Sequence, residues 1–255
     1  MKQKTVLIDG DSLIYFEMGK PSLEEAMMGI DDRIKNILAA YETTQYAGFL
    51  TSGKCFRYDR ATTRPYKGNR KHGDKPIIFP AIKEYLRQQY GFTSFHQLEA
   101  DDLVAIYRED CEIAGIASPD KDVLYQIPGK HFNYRSAEFV ETSEEAAEKF
   151  LWKQMLMGDS TDGIIGIPKV GEKTAEKWLN ELAEDPRYGS MPEFVVRKYV
   201  EKFGNWEGIH RFAETFKLVY ILKTKEEAYK ETGLPLPNLI ISELETTKNE
   251  DELWG

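Results

Sequence analysis

The chain predicts an α/β fold: a mostly parallel sheet with helices on both faces, followed by a helical C-terminal half. Three observations carry this reading. Short apolar runs alternate with segments of helical period through the first 140 or so residues, the pattern of strand–helix–strand crossovers. Strand signals stop after about residue 141, and helical periodicity alone continues. Acidic side chains recur where the apolar runs and small-residue turns end, the edge at which open α/β sheets present their functional groups. The expected division is therefore 1–141 and 142–255.

The first element is Thr5-Val6-Leu7-Ile8, a buried strand ending at Asp9. Ser22 and Glu25 form a capping box for a helix whose apolar positions are Leu23, Met27, Ile30, Ile34, Ile37 and Leu38. A second strand spans Tyr46 to Leu50. Ile78 to Tyr90 reads as a helix stopped by Gly91. Glu99 opens a further helix expected to reach about Ala114, after which Gly115-Ile116-Ala117-Ser118 enters a turn at Asp120. Thr142 and Glu145 suggest a second capping box ahead of Ala146, Phe150, Met155 and Leu156. Ser190, Pro192 and Glu193 announce a helix through Val195, Tyr199 and Phe203, and a last helix is expected from about Trp206 to Leu222. The acidic, proline-bearing tail from Gly233 is expected to be loosely held, and there is no internal repeat.

With 255 residues, 41% of them apolar, the chain can bury one sizeable core or two modest ones. No run approaches the ~20 apolar residues of a membrane span, and the opening MKQKTVLIDG lacks a secretory apolar region. Cys55 and Cys111 make no disulfide framework and are not spaced with histidines for zinc. These features predict a soluble protein of a reducing, cytoplasmic compartment without a membrane partner. The net charge of −9 argues at first against nucleic acid, yet it is unevenly spread. Lys54 to Lys75 holds eight basic residues against Asp59 and Asp74, a net +6, which leaves −15 for the rest. Such a polarised molecule steers a polyanion toward one face, although a solvated loop would share the composition.

Four groups of carboxylates stand at element boundaries: Asp9; Glu99, Asp101 and Asp102; Asp120 and Asp122; Asp159 and Asp162. Each has a plain alternative. Acidic first turns favour the helix dipole, and Asp120 or Asp159 would serve as a turn or cap residue. All of them together call for a neutralising cation, because clustered carboxylates repel. Hard oxygen donors in a chain with four histidines select Mg²⁺ or Mn²⁺ over zinc. Two such ions, about 4 Å apart, would clamp the attacking and leaving oxygens of a phosphodiester. Asp11, two residues beyond Asp9, would face the other way if the strand continued, and is not among the expected ligands. Gly163 to Ala175 offers a glycine-flanked hairpin and a helix start near Glu172, with Lys169 and Lys173 alongside, a geometry suited to a phosphate; a simple helical corner is the alternative.

Read in order, Asp9 in VLIDGDSLIY, Tyr66-Lys67-Gly68-Asn69-Arg70, EADDL at 99–103, SPDKD at 118–122 and GDSTDGIIGIPKVGEKTA at 158–175 resemble the flap endonuclease and 5′-nuclease superfamily, especially its bacteriophage and bacterial members. The resemblance covers about Thr5 to Leu179. It implies a PIN-like nuclease core with a short basic arch or clamp at about 54–90, and a helix-three-turn-helix region that grips duplex DNA. By the same resemblance Asp9, Glu99, Asp101, Asp102, Asp120, Asp122, Asp159 and Asp162 hold two divalent ions, with Asp9, Asp102 and Asp120 central to catalysis. Lys67 and Arg70 engage the scissile phosphate, and Tyr66 or Tyr58 would stack on an unpaired base or else simply pack. The hairpin from Gly166 to Gly171 becomes the duplex-binding loop, often also a K⁺ site.

The implied activity is two-metal hydrolysis of DNA with a 5′ flap or 5′ overhang, or of an RNA/DNA hybrid, by a monomer serving replication or primer removal, in a host bacterial cytoplasm if the source is a phage. Two features depart from the pattern. Relatives commonly place another aspartate just after the second strand, where Phe49-Leu50-Thr51-Ser52-Gly53 has none and Asp59 comes later, leaving water to complete the first ion's shell. The interval from Arg70 to Glu99 is short for a large arch, so threading and clamping of a 5′ end both stay open. A PIN-type ribonuclease and a non-catalytic DNA-binding protein with a degenerate site are the competing readings.

Overall fold

The computed structural model describes residues 4–69, 78–110, 112–184 and 189–244. Strands β1 (Thr5–Asp9), β2 (Gln45–Phe49), β3 (Ile113–Ala117), β4 (Gly129–Asn133) and β5 (Glu138–Thr142) join a two-residue β8 (Ser242–Glu243) in one sheet of order β5-β4-β3-β1-β2-β8. The inner pairs β1–β2, β1–β3 and β3–β4 are parallel, and both outer strands are antiparallel. The chain leaves β1 toward β2 on one side and returns to β3 on the other, so the strand order reverses at β1. The carboxyl end of that strand is where a crevice opens in such sheets.

All five residues of β1 are buried, as a central parallel strand covered on both faces requires. Val6 and Ile8 pack into one layer with α1 (Asp11–Glu17), α2 (Leu23–Ala40) and α4 (Ile78–Tyr90). Leu7 faces the opposite layer with α5 (Ala100–Ile106) and α6 (Lys121–Gln126), which also takes in Ile221 and Leu222. A third core centres on Met155, Val195 and Tyr199, within α7 (Glu144–Met157), α8 (Glu172–Glu184), α9 (Met191–Phe203) and α10 (Asn205–Val219). Cys55 and Tyr66, on either side of α3 (Arg57–Arg60), belong to this third core despite their place in the first half of the sequence. Among the described residues no helix is long and apolar enough to cross a membrane.

Several expectations are corrected. The helix opened by Glu99 stops at Ile106, and after a 3₁₀ turn Ile113 and Ala114 already belong to β3, drawn into the sheet by pairing with Thr5 and its neighbours. Tertiary pairing overrides local helical propensity there. Ser143, not Thr142, caps α7; Thr142 ends β5, and its hydroxyl donates to the Leu124 carbonyl at 2.8 Å. The last expected helix ends at Val219, and Tyr220 to Leu222 are non-helical, with Tyr220 extended, before α11 (Lys225–Thr232), which sequence periodicity does not suggest. The tail is tied down as far as 244, with Leu236 and Leu239 packed on the sheet's second layer and β8 paired to β2. Residues 245–255 lie outside the described ones, as do Arg70 and Cys111. The helix α1 and the β4–β5 hairpin were also unforeseen, α1 because it follows β1 after only Gly10.

The close fit of β2 to Phe92 predicts a stability cost for one added methyl group. A Cβ at Gly48 would lie 2.2 Å from the Phe92 ring, so Gly48→Ala should destabilise by about 1–3 kcal/mol. Urea unfolding should show a lower midpoint at unchanged slope.

Candidate active site

A cavity of about 430 Å³ opens beyond the carboxyl ends of β1, β2 and β3, lined by Asp9, Asp11, Lys67, Glu99, Asp101 and Asp120. Asp9 is the last residue of β1, and Asp120 caps α6 just beyond β3. Glu99 caps α5, which the Thr51 hydroxyl also anchors by accepting from the Ala100 N–H at 3.1 Å. A smaller neighbouring recess is lined by Asp101, Asp122, Asp159 and Asp162, so Asp101 borders both. Seven of the eight expected carboxylates thus stand around two adjoining spaces. The eighth, Asp102, lies behind them and is fully buried.

Internal cations divide this set. Arg57 is buried and donates from both terminal nitrogens to Asp102 at 2.7 Å, to Glu99 at 3.0 Å and to the Tyr220 carbonyl at 2.8 Å. With the Leu222 N–H also on Asp102 at 3.0 Å, both oxygens of that carboxylate are engaged. Lys67 Nζ lies 2.5 Å from Glu99 and 3.8 Å from Asp162. Burial pushes the Glu99 carboxyl up, but Arg57 and Lys67 outweigh it and hold the group down at about 2. Lys121 serves Asp122 at 2.8 Å and Asp159 at 2.6 Å. Burial raises Asp159, and the Lys121 contact more than offsets it. Burial, then the charge of Asp120, pushes Asp122 up to about 6 in spite of Lys121.

Asp9, Asp11, Asp101 and Asp120 form no ion pair with any cation among the described residues. Burial, reinforced by Asp11, pushes Asp9 up to about 7, although Ser118 donates to it at 2.8 Å. Asp101 is raised well above the carboxylate range by burial and by Asp102 and Glu99. Asp9 and Asp101, two wall acids that burial makes reluctant to ionise, mark the electrostatic signature of a cation site. The donor chemistry fits a hard divalent ion: among the described residues the cavity's ligand-type side chains are carboxylates and hydroxyls, with no histidine or cysteine lining it.

Two residues behave differently from expectation. Tyr66 is buried, and its hydroxyl donates to Glu99 at 3.0 Å and Asp162 at 3.1 Å while its ring meets Tyr58 edge to face. Its face is therefore packed and not open for stacking on a base; Tyr58 and Tyr15 are exposed rings that line the cavity. Asp11 would take the far strand face only if β1 continued, but the chain turns into α1 at that residue, and its carboxylate reaches the cavity. Arg57 was counted only within the basic segment. Its burial had no sequence signal beyond an apolar flank at Cys55-Phe56.

The second expected surface lies on the helical half. β6 (Gly158–Asp159) and β7 (Ile164–Ile165) pair antiparallel, with a Cβ at Gly166 calculated to fall 2.3 Å from the Gly158 nitrogen, so that glycine serves close packing. Lys169, at φ +69°, and Gly171 are exposed just before α8, and Lys173 is exposed in its first turn.

No family model matches the chain. DNA polymerase I of Bacillus caldotenax is 30% identical over 212 residues, which cover 71% of this chain and 24% of that protein. A 5′-3′ exonuclease of Buchnera aphidicola is 28% identical over 206 residues, 70% of each. The chain thus spans about a quarter of the length of the polymerase relatives. In fold it is similar to the bacteriophage T5 D15 protein co-crystallised with metal ions, with a TM-score of 0.66 and 18% identity over 85% of this chain and 89% of that one. The catalytic core of Rad2 in complex with a DNA substrate gives 0.55 and 14% over 91% and 88%.

The raised Asp9 carboxyl predicts a pH effect on the metal-free protein. A carboxyl whose folded pKa of about 7 exceeds its unfolded value keeps its proton on folding, so its contribution to stability declines as pH rises from near 4 through about 7. In EDTA, Asp9→Asn should melt above the parent at pH 8, with a gap that narrows toward pH 5. Comparing the two proteins cancels the opposing contribution of His131, which burial holds below its usual value. A gap independent of pH would show that Asp9 ionises normally.

Proposed function

We propose that this chain, a member of the 5′-nuclease superfamily, is a metal-dependent, structure-specific 5′-nuclease that cuts DNA phosphodiesters near single-strand/duplex junctions, as a 5′-3′ exonuclease and flap endonuclease. The observation that carries the reading is the convergence of uncompensated carboxylates from separate segments, Asp9, Asp101 and Asp120, on one cavity that Lys67 also enters. When bound there, two divalent ions, Mg²⁺ or Mn²⁺, supply a nucleophile at neutral pH and neutralise charge on the phosphate and leaving oxygen. Asp9, Glu99, Asp101 and Asp120 would hold ions at the larger cavity, with Asp122, Asp159 and Asp162 at the recess; Asp102 acts from behind by fixing Arg57.

The protein's own part is positioning and charge. Glu99 and Asp162 keep Lys67 protonated, since their attraction exceeds the cost of its burial, and aim a fixed cation at the cavity. Such a preorganised cation stabilises charge developing on the non-bridging phosphate oxygens without reorganising during the reaction. Arg70, three residues on, would join it. Tyr58 offers a ring beside the cavity for an unpaired base. We assign 1–141 to the nuclease core with a basic clamp, and 142–255 to duplex binding. There Lys169, Lys173 and the amides before α8 would grip a phosphate backbone, with K⁺ at the Gly166–Gly171 loop. Substrates would be 5′ flaps and overhangs, RNA-primed ends included, met by a monomer during replication or primer removal in a bacterial cytoplasm.

A labelled 5′-flap duplex incubated with Mg²⁺ should yield cuts near the junction that EDTA abolishes; no product with Mg²⁺ or Mn²⁺ would end the enzymatic reading. Asp120→Asn and Lys67→Ala should each lower turnover by about 10²-fold or more while duplex affinity stays within a few fold. Binding isotherms separate this from misfolding, which would depress both. Lys169→Ala should weaken duplex binding across sequences and reduce the salt slope by about 1. An unchanged slope would remove the loop from the interface.

A further inference from the structure

Resting on the metal-dependent reading above, we infer that Asp11 is a further carboxylate of the divalent-ion site, supplying on the β1 side of the cavity the charge that the end of β2 lacks. After β2 the backbone offers no acid. Leu50 is fully buried in the apolar core, and the Thr51 hydroxyl is spent on capping α5. Asp11 occupies that side of the cavity instead. Its Oδ1 accepts from the Thr51 N–H at 3.0 Å, which pins the side chain between the ends of β1 and β2, and its own N–H donates to Asp9 Oδ1 at 3.2 Å. Lys83 donates to the carbonyl of the same Thr51, so the residue that orients Asp11 is held through both its N–H and its C=O.

The pattern of ion pairs is an independent argument. Of the acids around the two spaces, Glu99, Asp122, Asp159 and Asp162 are each within ion-pair distance of Lys67, Lys121 or Arg57, and Asp102 is matched by Arg57. Asp9, Asp11, Asp101 and Asp120 are left, all on the larger cavity and all without an ion pair among the described residues. With Asp9, Asp101 and Asp120, Asp11 makes four carboxylates on this one cavity that no internal cation among the described residues pairs, the donor set a hard divalent ion would be offered. Asp11 Oδ2 also has no hydrogen-bond partner among the described residues, which leaves it available to a cation or to a cation's water. No comparable vacancy exists on Asp102, both of whose oxygens are donated to.

Asp11→Asn tests this, because the amide oxygen can still accept from the Thr51 N–H while the charge is lost. Mn²⁺ binding to the full chain, followed by electron paramagnetic resonance and by calorimetry at fixed ionic strength, should weaken by about tenfold or more, or lose one ion per chain, since charge count sets affinity at such sites. Asp32→Asn, on the exposed side of α2, should bind as the parent does. Thermal melting in EDTA should leave Asp11→Asn at least as stable as the parent, which excludes unfolding as the cause. Equal Mn²⁺ stoichiometry and affinity in Asp11→Asn and parent would overturn the assignment while leaving the nuclease reading intact. A parent chain that binds no Mn²⁺ would overturn both.

Discussion

A single buried guanidinium holds this molecule's working parts in register. Arg57 bonds the first turn of α5 through Asp102 and Glu99, and the extended segment after α10 through the Tyr220 carbonyl. It also belongs to the basic stretch that carries Lys67. Burying any of these charges alone would be costly, and removing one partner of such a set leaves the others unpaired. The three elements therefore have to meet at Arg57 or not fold together. The sheet edge, the basic segment and the helical half consequently share a corner at the cavity.

From that constraint follows a separation of two kinds of carboxylate that look alike in sequence. Asp101 and Asp102 are adjacent, yet one helical step turns Asp102 inward to Arg57 and leaves Asp101 facing the cavity with a strongly raised pKa. Asp120 and Asp122 divide similarly, Asp122 being drawn to Lys121 and to the Gln154 amide at 2.6 Å. The paired acids build the frame. The unpaired ones keep an electrostatic deficit that a divalent cation relieves, and binding energy is available because the fold has already met the cost of bringing them together.

Much of this was legible in the residues and some was not, for physical reasons. The parallel strands at Thr5 and Tyr46, the helix at Ile78 and the Ser190 capping box follow from local pattern, and the structure contains each of them. The convergence of the acid groups was legible because each sits at an element end. What sequence could not reveal is where a side chain points when its direction is set by a partner far along the chain. Asp11 looked outward on a strand's alternation but starts a helix; Tyr66 looked like a stacking platform but is drawn under by Glu99 and Asp162, 33 and 96 residues away. Ile113 read as the end of a helix until pairing with Thr5 claimed it for the sheet.

The corner geometry also bears on how the two halves work as one. Lys67 adopts φ +54°, an uncommon conformation for a side-chain-bearing residue, and its N–H is held at 2.7 Å by the Asp162 carbonyl in the turn between β6 and β7. Farther back, Glu214 on α10 accepts from the Thr62 and Thr63 amides at 2.5 and 2.7 Å, clamping the start of the same segment. The cation at the cavity is thus suspended between two points of the helical half. Local strain of this kind persists only where the surroundings over-determine it. Those surroundings belong to the half that carries Lys169 and Lys173, so under the proposed function a duplex seated there and the aim of Lys67 at a phosphate would be set by the same contacts.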